Sequence, residues 1–132
     1  MILVDTSVWI SLLRRKPRSW QDEERLLKFV TCGPIVQELL QGLRDNPASS
    51  VLRGDILAIP RVSDPVSLTT FLEAAEIYRQ GRQKGYAIRS STDCLIAAIA
   101  IENNVPVWHR DRDYSAIARF TGLRAYTGTT SR

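Results

Sequence analysis

Short uniform apolar runs alternate along this chain with longer stripes at helical spacing. Ile2-Leu3-Val4 is apolar at every position, which predicts a short strand covered on both faces, as in a parallel sheet. A helix through Ser7-Val8-Trp9-Ile10-Ser11-Leu12-Leu13 follows, with Asp5, Thr6 or Ser7 as its cap. Arg14, Arg15 and Lys16 suit the negative end of that helix, and Pro17 stops it. Leu26, Leu27 and Val30, behind the acidic start Asp22-Glu23-Glu24, predict a second helix. Gly33-Pro34 opens a third, with proline in the first turn where no amide hydrogen is missed. Ile35, Leu39 and Gly42 fall on its inner face.

Asn46-Pro47 interrupts the pattern; a short helix follows, and Ile56-Leu57-Ala58-Ile59 reads as a strand. Leu68, Phe71, Leu72, Ala75 and Tyr78 recur at helical spacing and predict a long amphipathic helix fading near Gly81 and Gly85. Cys94 to Ile101 is apolar all round, so that helix belongs at the centre of the fold. Val105-Pro106-Val107-Trp108 and Leu123-Arg124-Ala125-Tyr126 read as strands on either side of a helix around Tyr114–Phe120. Strands alternating with helices predict an α/β fold with a mainly parallel central sheet flanked by helices. No repeat, low-complexity tract or linker divides the chain, which predicts one domain over residues 1–132.

Composition narrows the class without naming a function. Hydrophobic residues make up 44% and charged ones 24%, the balance of a globular protein rather than a disordered one. Cys32 and Cys94 sit in apolar sequence and read as buried thiols in a reducing compartment. With His109 as the sole histidine, too few soft ligands exist for a structural zinc site. The opening Met1-Ile2-Leu3-Val4-Asp5 lacks a basic leader, and no apolar stretch reaches the ~20 residues needed to cross a bilayer. A cytoplasmic location is expected. The net charge of +4 is unevenly spread: residues 77–132 hold nine basic and four acidic side chains, against nine and ten before them. Solubilising surface charge and attraction of a polyanion both fit that excess.

The acidic positions change the picture. Asp5 ends the first apolar run, Glu38 lies in the third helix, Asp93 opens the central helix, and Asp111 and Asp113 follow the strand ending at Trp108. In an open parallel sheet, functional side chains collect beyond the carboxyl ends of the strands. Carboxylates gathered there without Lys or His partners repel one another, and a hard divalent cation with oxygen ligands relieves that repulsion. Metal-assisted phosphodiester chemistry is the reading this supports. Each acid also has a plain explanation. Asp5 caps a helix, Ser90 and Asp93 form a capping box, Glu38 is an ordinary surface position, and Asp111 and Asp113 belong to a solvated turn.

Four blocks occur in order: Val4-Asp5-Thr6-Ser7-Val8-Trp9-Ile10, the Pro34 to Gly42 segment around Glu38, Thr92-Asp93-Cys94-Leu95-Ile96-Ala97-Ala98, and His109-Arg110-Asp111-Arg112-Asp113-Tyr114. In this the chain resembles PIN-domain proteins, specifically VapC-type toxins of type II toxin–antitoxin pairs, over essentially its whole length. The resemblance implies Asp5, Glu38, Asp93 and Asp111 as catalytic, metal-holding residues. Asp113 is a fifth possible ligand, and Thr6 or Ser7 supplies a supporting hydroxyl. It further implies an endoribonuclease dependent on Mg²⁺ or Mn²⁺, held inactive by a VapB-type antitoxin that alone would bring it to DNA, and a homodimer. In such sites one or two ions, about 3.5–4 Å apart when paired, activate water for in-line attack and stabilise the leaving 3′-oxygen.

Arg89, Arg110 and Arg112 are candidates for RNA phosphate contacts. His109 is expected at the core or rim rather than as a base. Trp9 and Trp108 are expected in the core, whereas Trp20 either packs on a helix pair or anchors the antitoxin. A non-catalytic PIN-like module binding RNA or protein is the alternative function. A phosphatase or phosphoacceptor using Asp5 as nucleophile is disfavoured, because Ser7 stands where a second acid is wanted and no Lys follows Lys84.

Overall fold

A computed structural model describes residues 1–14 and 27–126. The elements are β1 (Ile2–Val4), α1 (Thr6–Arg14), β2 (Phe29–Val30), α2 (Gly33–Gln41), α3 (Pro47–Ala58), α4 (Leu68–Gln83), α5 (Ser91–Glu102), β3 (Val107–Trp108) and α6 (Arg112–Ala118). The sheet has the order β2-β1-β3 and is wholly parallel, as the uniform apolar runs predict. Leu3 pairs with Val30 on one side and Val107 on the other, and Val4 pairs with Trp108. β1 is therefore the central strand. Its carboxyl end, carrying Asp5, lies beside the end of β3, where the Asp5 amide donates to the Trp108 carbonyl at 3.0 Å.

The central helix is α5. Cys94, Ile96, Ala97, Ala98, Ile99 and Ala100 are all buried, as expected of a segment apolar on every face. It packs along α4, whose close approach to the following segment explains a glycine inside a helix. A Cβ on Gly81 would lie 2.4 Å from Ile88 Cδ1. The helix runs past Gly81 to Gln83, and the chain turns at Gly85 with φ of +84°. Trp9, Phe29, Trp108 and Tyr126 form a chain of ring contacts, with centroids 5.6 to 5.8 Å apart. Trp9 and Trp108 are buried, as expected.

Three expectations need correction. Val30 was expected in a helix but lies in β2; Phe29 and Val30 form a β-branched and aromatic pair whose both faces are covered, which suits a buried strand. Leu27, also expected in that helix, is exposed in the turn before β2; Asp22-Glu23-Glu24 and Leu26 lie outside the described residues, as do Trp20, Arg15, Lys16 and Pro17. Ile56-Leu57-Ala58-Ile59 is not a strand. α3 runs through Ala58, started by Asn46, whose side chain accepts from the Ser49 amide at 2.8 Å, and by Pro47 in the first turn. Leu52, Ile56 and Ile59 face the core at helical spacing while Leu57 is exposed. Leu123–Tyr126 reduces to a single bridge, Ala125 to Val107, although two backbone bonds tie Arg124 and Tyr126 to Val107.

Candidate metal and active site

β1 delivers Asp5 to the carboxyl edge of the sheet, where its backbone and side chain together start α1. The Asp5 carbonyl accepts from the Val8 and Trp9 amides, and Oδ2 accepts from the Ser7 amide at 3.3 Å and the Ser7 hydroxyl at 2.8 Å. Asp5 thus caps a helix and faces the acidic centre at once. Its other oxygen, Oδ1, accepts from the Tyr114 hydroxyl at 2.7 Å. Next along the chain, the Thr6 hydroxyl donates to Glu38 Oε1 at 2.8 Å, tying the start of α1 to the second turn of α2. The two candidate hydroxyls therefore divide: Ser7 holds Asp5, and Thr6 holds Glu38.

Asp93 enters from the first turn of α5, where the Ser90 side chain accepts from its amide at 3.3 Å. The carboxylate is buried, and its Oδ2 has no hydrogen-bond partner among the described residues. Burial, followed by the Asp111 and Asp5 charges, raises its pKa to about 7. Asp111 is the N-cap of α6, its Oδ1 accepting from the Asp113 amide at 2.9 Å. Asp113 is buried, and its Oδ2 accepts from the amides of Arg89 and Ser90 at 3.1 and 3.0 Å. One Asp113 oxygen thereby clamps the segment that launches α5. Single carboxylate oxygens of Asp93, Asp111 and Asp113 lie within 4.8 Å of one another.

An orphaned buried carboxylate oxygen beside two further acids is a poor arrangement for packing and a good one for a hard divalent cation. The donor set is all oxygen. His109 does not add to it: its Nδ1 accepts from the Asp111 amide at 3.3 Å, which places the proton of the neutral ring on Nε2. Burial lowers the His109 pKa against the opposing pull of Asp5 and Asp111, and the ring lies 4.9 Å from Tyr114. The candidate phosphate-binding residues Arg89, Arg110 and Arg112 are exposed, with Arg110 Nη1 donating to Ser11 Oγ of α1 at 2.6 Å.

The PIN domain family model matches residues 2–120. The chain belongs to the PIN-domain family. Within it, ribonuclease VapC11 of Mycobacterium tuberculosis is 38% identical over 133 residues, covering 95% of this chain and 97% of that protein. VapC ribonuclease Mb1587 of Mycobacterium bovis matches to the same extent. The fold is also that of VapBC2 from Rickettsia felis, solved on a DNA fragment from its promoter, with a TM-score of 0.74 and 19% identity over 96% of this chain and 98% of that one. This PIN domain is therefore a VapC-family member.

Tyr114 is the site residue that pattern reasoning passed over. In sequence it stands three residues before Ile117 on the buried face of α6 and reads as core, which its ring is. Its hydroxyl partner lies 109 positions away, and no local signal marks it.

Proposed function

We propose that this PIN domain, spanning residues 1–132, is the toxin of a type II toxin–antitoxin pair and an endoribonuclease requiring Mg²⁺ or Mn²⁺. The observation that carries the reading is the gathering of Asp93, Asp111 and Asp113, with carboxylate oxygens within 4.8 Å of one another and a buried Asp93 oxygen left without a partner among the described residues. The ribonuclease names of relatives 38% identical over nearly the whole chain support it. Asp93, Asp111, Asp5 and Glu38 would hold a cation whose contribution would be an activated water for attack on phosphorus and charge compensation at the leaving 3′-oxygen. Asp113 is chiefly committed to backbone amides. Ser7 and Thr6 fix the orientation of Asp5 and Glu38, and the half-buried rim carrying His109 limits water around the centre. Arg89, Arg110 and Arg112 supply positive charge around it for the phosphate backbone.

The partner is a VapB-type antitoxin, which brings the complex to DNA; the R. felis VapBC2 assembly on promoter DNA supports this. A second copy of the chain would cover the exposed Leu68, Phe71 and Leu72 of α4. Phe71 also lines a groove of about 550 Å³ together with Glu38, Thr92 and Leu95. A cytoplasmic location belongs to the proposal. No helix among the described residues is long and apolar enough to cross a membrane. A non-catalytic module is less well supported, since all the acids are present. RNA cleavage assayed with Mn²⁺ and with excess EDTA tests the proposal. Metal-dependent products ending in 5′-phosphate and 3′-hydroxyl are expected, and chelator-resistant cleavage or 2′,3′-cyclic phosphate ends would refute it.

A further inference from the structure

We propose that Tyr114 is a positioning residue for the acidic centre, its phenolic hydrogen fixing the Asp5 carboxylate in the orientation that a cation requires. The inference rests on the metal-site reading above. Tyr114 is wholly buried, and its hydroxyl lies 2.7 Å from Asp5 Oδ1. Asp5 is among the charges that crowd Asp93, so the carboxylate that Tyr114 holds belongs to the acidic centre. One side chain on α6 therefore holds the carboxylate at the end of β1. A phenol carries one hydrogen to donate, and here Asp5 Oδ1 takes it.

The rest of the surroundings fit a positioning role. Ser7 takes Asp5 Oδ2 with both its amide and its hydroxyl while Tyr114 takes Oδ1, so the Asp5 carboxylate is pinned at both oxygens and a lone pair is left on Oδ1. Asp93 keeps an oxygen with no partner. The Tyr114 ring is itself held against His109. Phenylalanine would fill the same space in this core, so the hydroxyl is what needs a reason, and its partner supplies one.

Tyr114→Phe removes the hydroxyl and leaves the ring. Calorimetric titration with Mn²⁺ should show affinity falling on the order of 10- to 100-fold, the usual loss when a group orienting a metal ligand is removed. Ile117→Val, on the same buried face of α6, should lower the melting temperature and leave Mn²⁺ affinity unchanged. Equal affinity of wild type and Tyr114→Phe would overturn the proposal alone. A wild type that binds no Mn²⁺ would overturn the metal reading and this proposal with it. A second measurement does not depend on Tyr114→Phe folding. With Tyr78, Tyr86 and Tyr126 replaced by Phe, Tyr114 is the sole tyrosine. Its ¹³Cζ resonance should move on saturation with Mg²⁺; a resonance that stays in place would overturn the assignment.

Discussion

Asp93→Asn in metal-free protein offers the sharpest test of whether these acids crowd one another. Burial, with Asp111 and Asp5 nearby, lifts the Asp93 pKa from 3.8 to about 7. The folded protein therefore holds a proton that the unfolded chain gives up. The sign follows: Asp93 costs nothing below pH 3.8, costs progressively more as pH rises toward 7, and levels off above it. At neutral pH the rise corresponds to about 4 kcal/mol, of which about 2 kcal/mol accrues between pH 5 and pH 7. Asparagine removes the charge and keeps the shape. It also gives up a first-turn carboxylate on α5, which costs up to ~1 kcal/mol. The net expectation is a gain of about 2–3 kcal/mol at pH 7, or roughly 6–10 °C for a chain of this length. The assay is thermal unfolding in EDTA from pH 5 to pH 8. Wild type should melt lower as pH rises, and the variant should follow a flatter curve that crosses above it. Added Mn²⁺ should stabilise wild type far more than the variant. A variant that melts below wild type at pH 7, with an unchanged pH slope, would show that helix capping outweighs repulsion and that the acids do not crowd.

Three further outcomes are expected. Asp111→Asn should reduce RNA cleavage more than Asp113→Asn, because Asp113 spends one oxygen on the Arg89 and Ser90 amides and asparagine retains that acceptor; the reverse order of rates would refute the assignment. Asp113→Ala should in addition destabilise by about 1–3 kcal/mol in urea unfolding, since two partly buried amides lose their partner. Gly81→Ala should lower stability by about 1–3 kcal/mol through the 2.4 Å approach to Ile88, whereas Gly54→Ala in α3, with nothing within 4 Å, should raise it by about 0.5–1 kcal/mol. Equal effects of the two glycine replacements in the same unfolding assay would show that packing around Gly81 relaxes freely.

Much of the frame was legible along the chain because it depends on local signals. Uniform Ile2-Leu3-Val4 reads as a buried parallel strand, Cys94 to Ile101 as a central helix, and each places an acid at its end. The helix caps at Asn46, Ser90 and Asp111 are equally local, since each side chain bonds an amide two or three residues on. That locality is also why capping and metal holding could not be separated in sequence: at Asp5 and Asp111 one carboxylate does the first and faces the centre of the second. Tertiary contact decided the rest. Four apolar residues at 56–59 fit a strand or a helix end, and only the surface available to Ile56 and Ile59 selects the helix. Phe29-Val30 becomes a strand because β1 has an open edge to pair with. The commitment of Asp113 to the Arg89 and Ser90 amides, the pKa of Asp93 and the bond from Tyr114 to Asp5 arise between elements remote in sequence. Residue type and spacing bring acids to one edge of the sheet, but which oxygen is free for a cation is a matter of distances that exist only after the helices have packed.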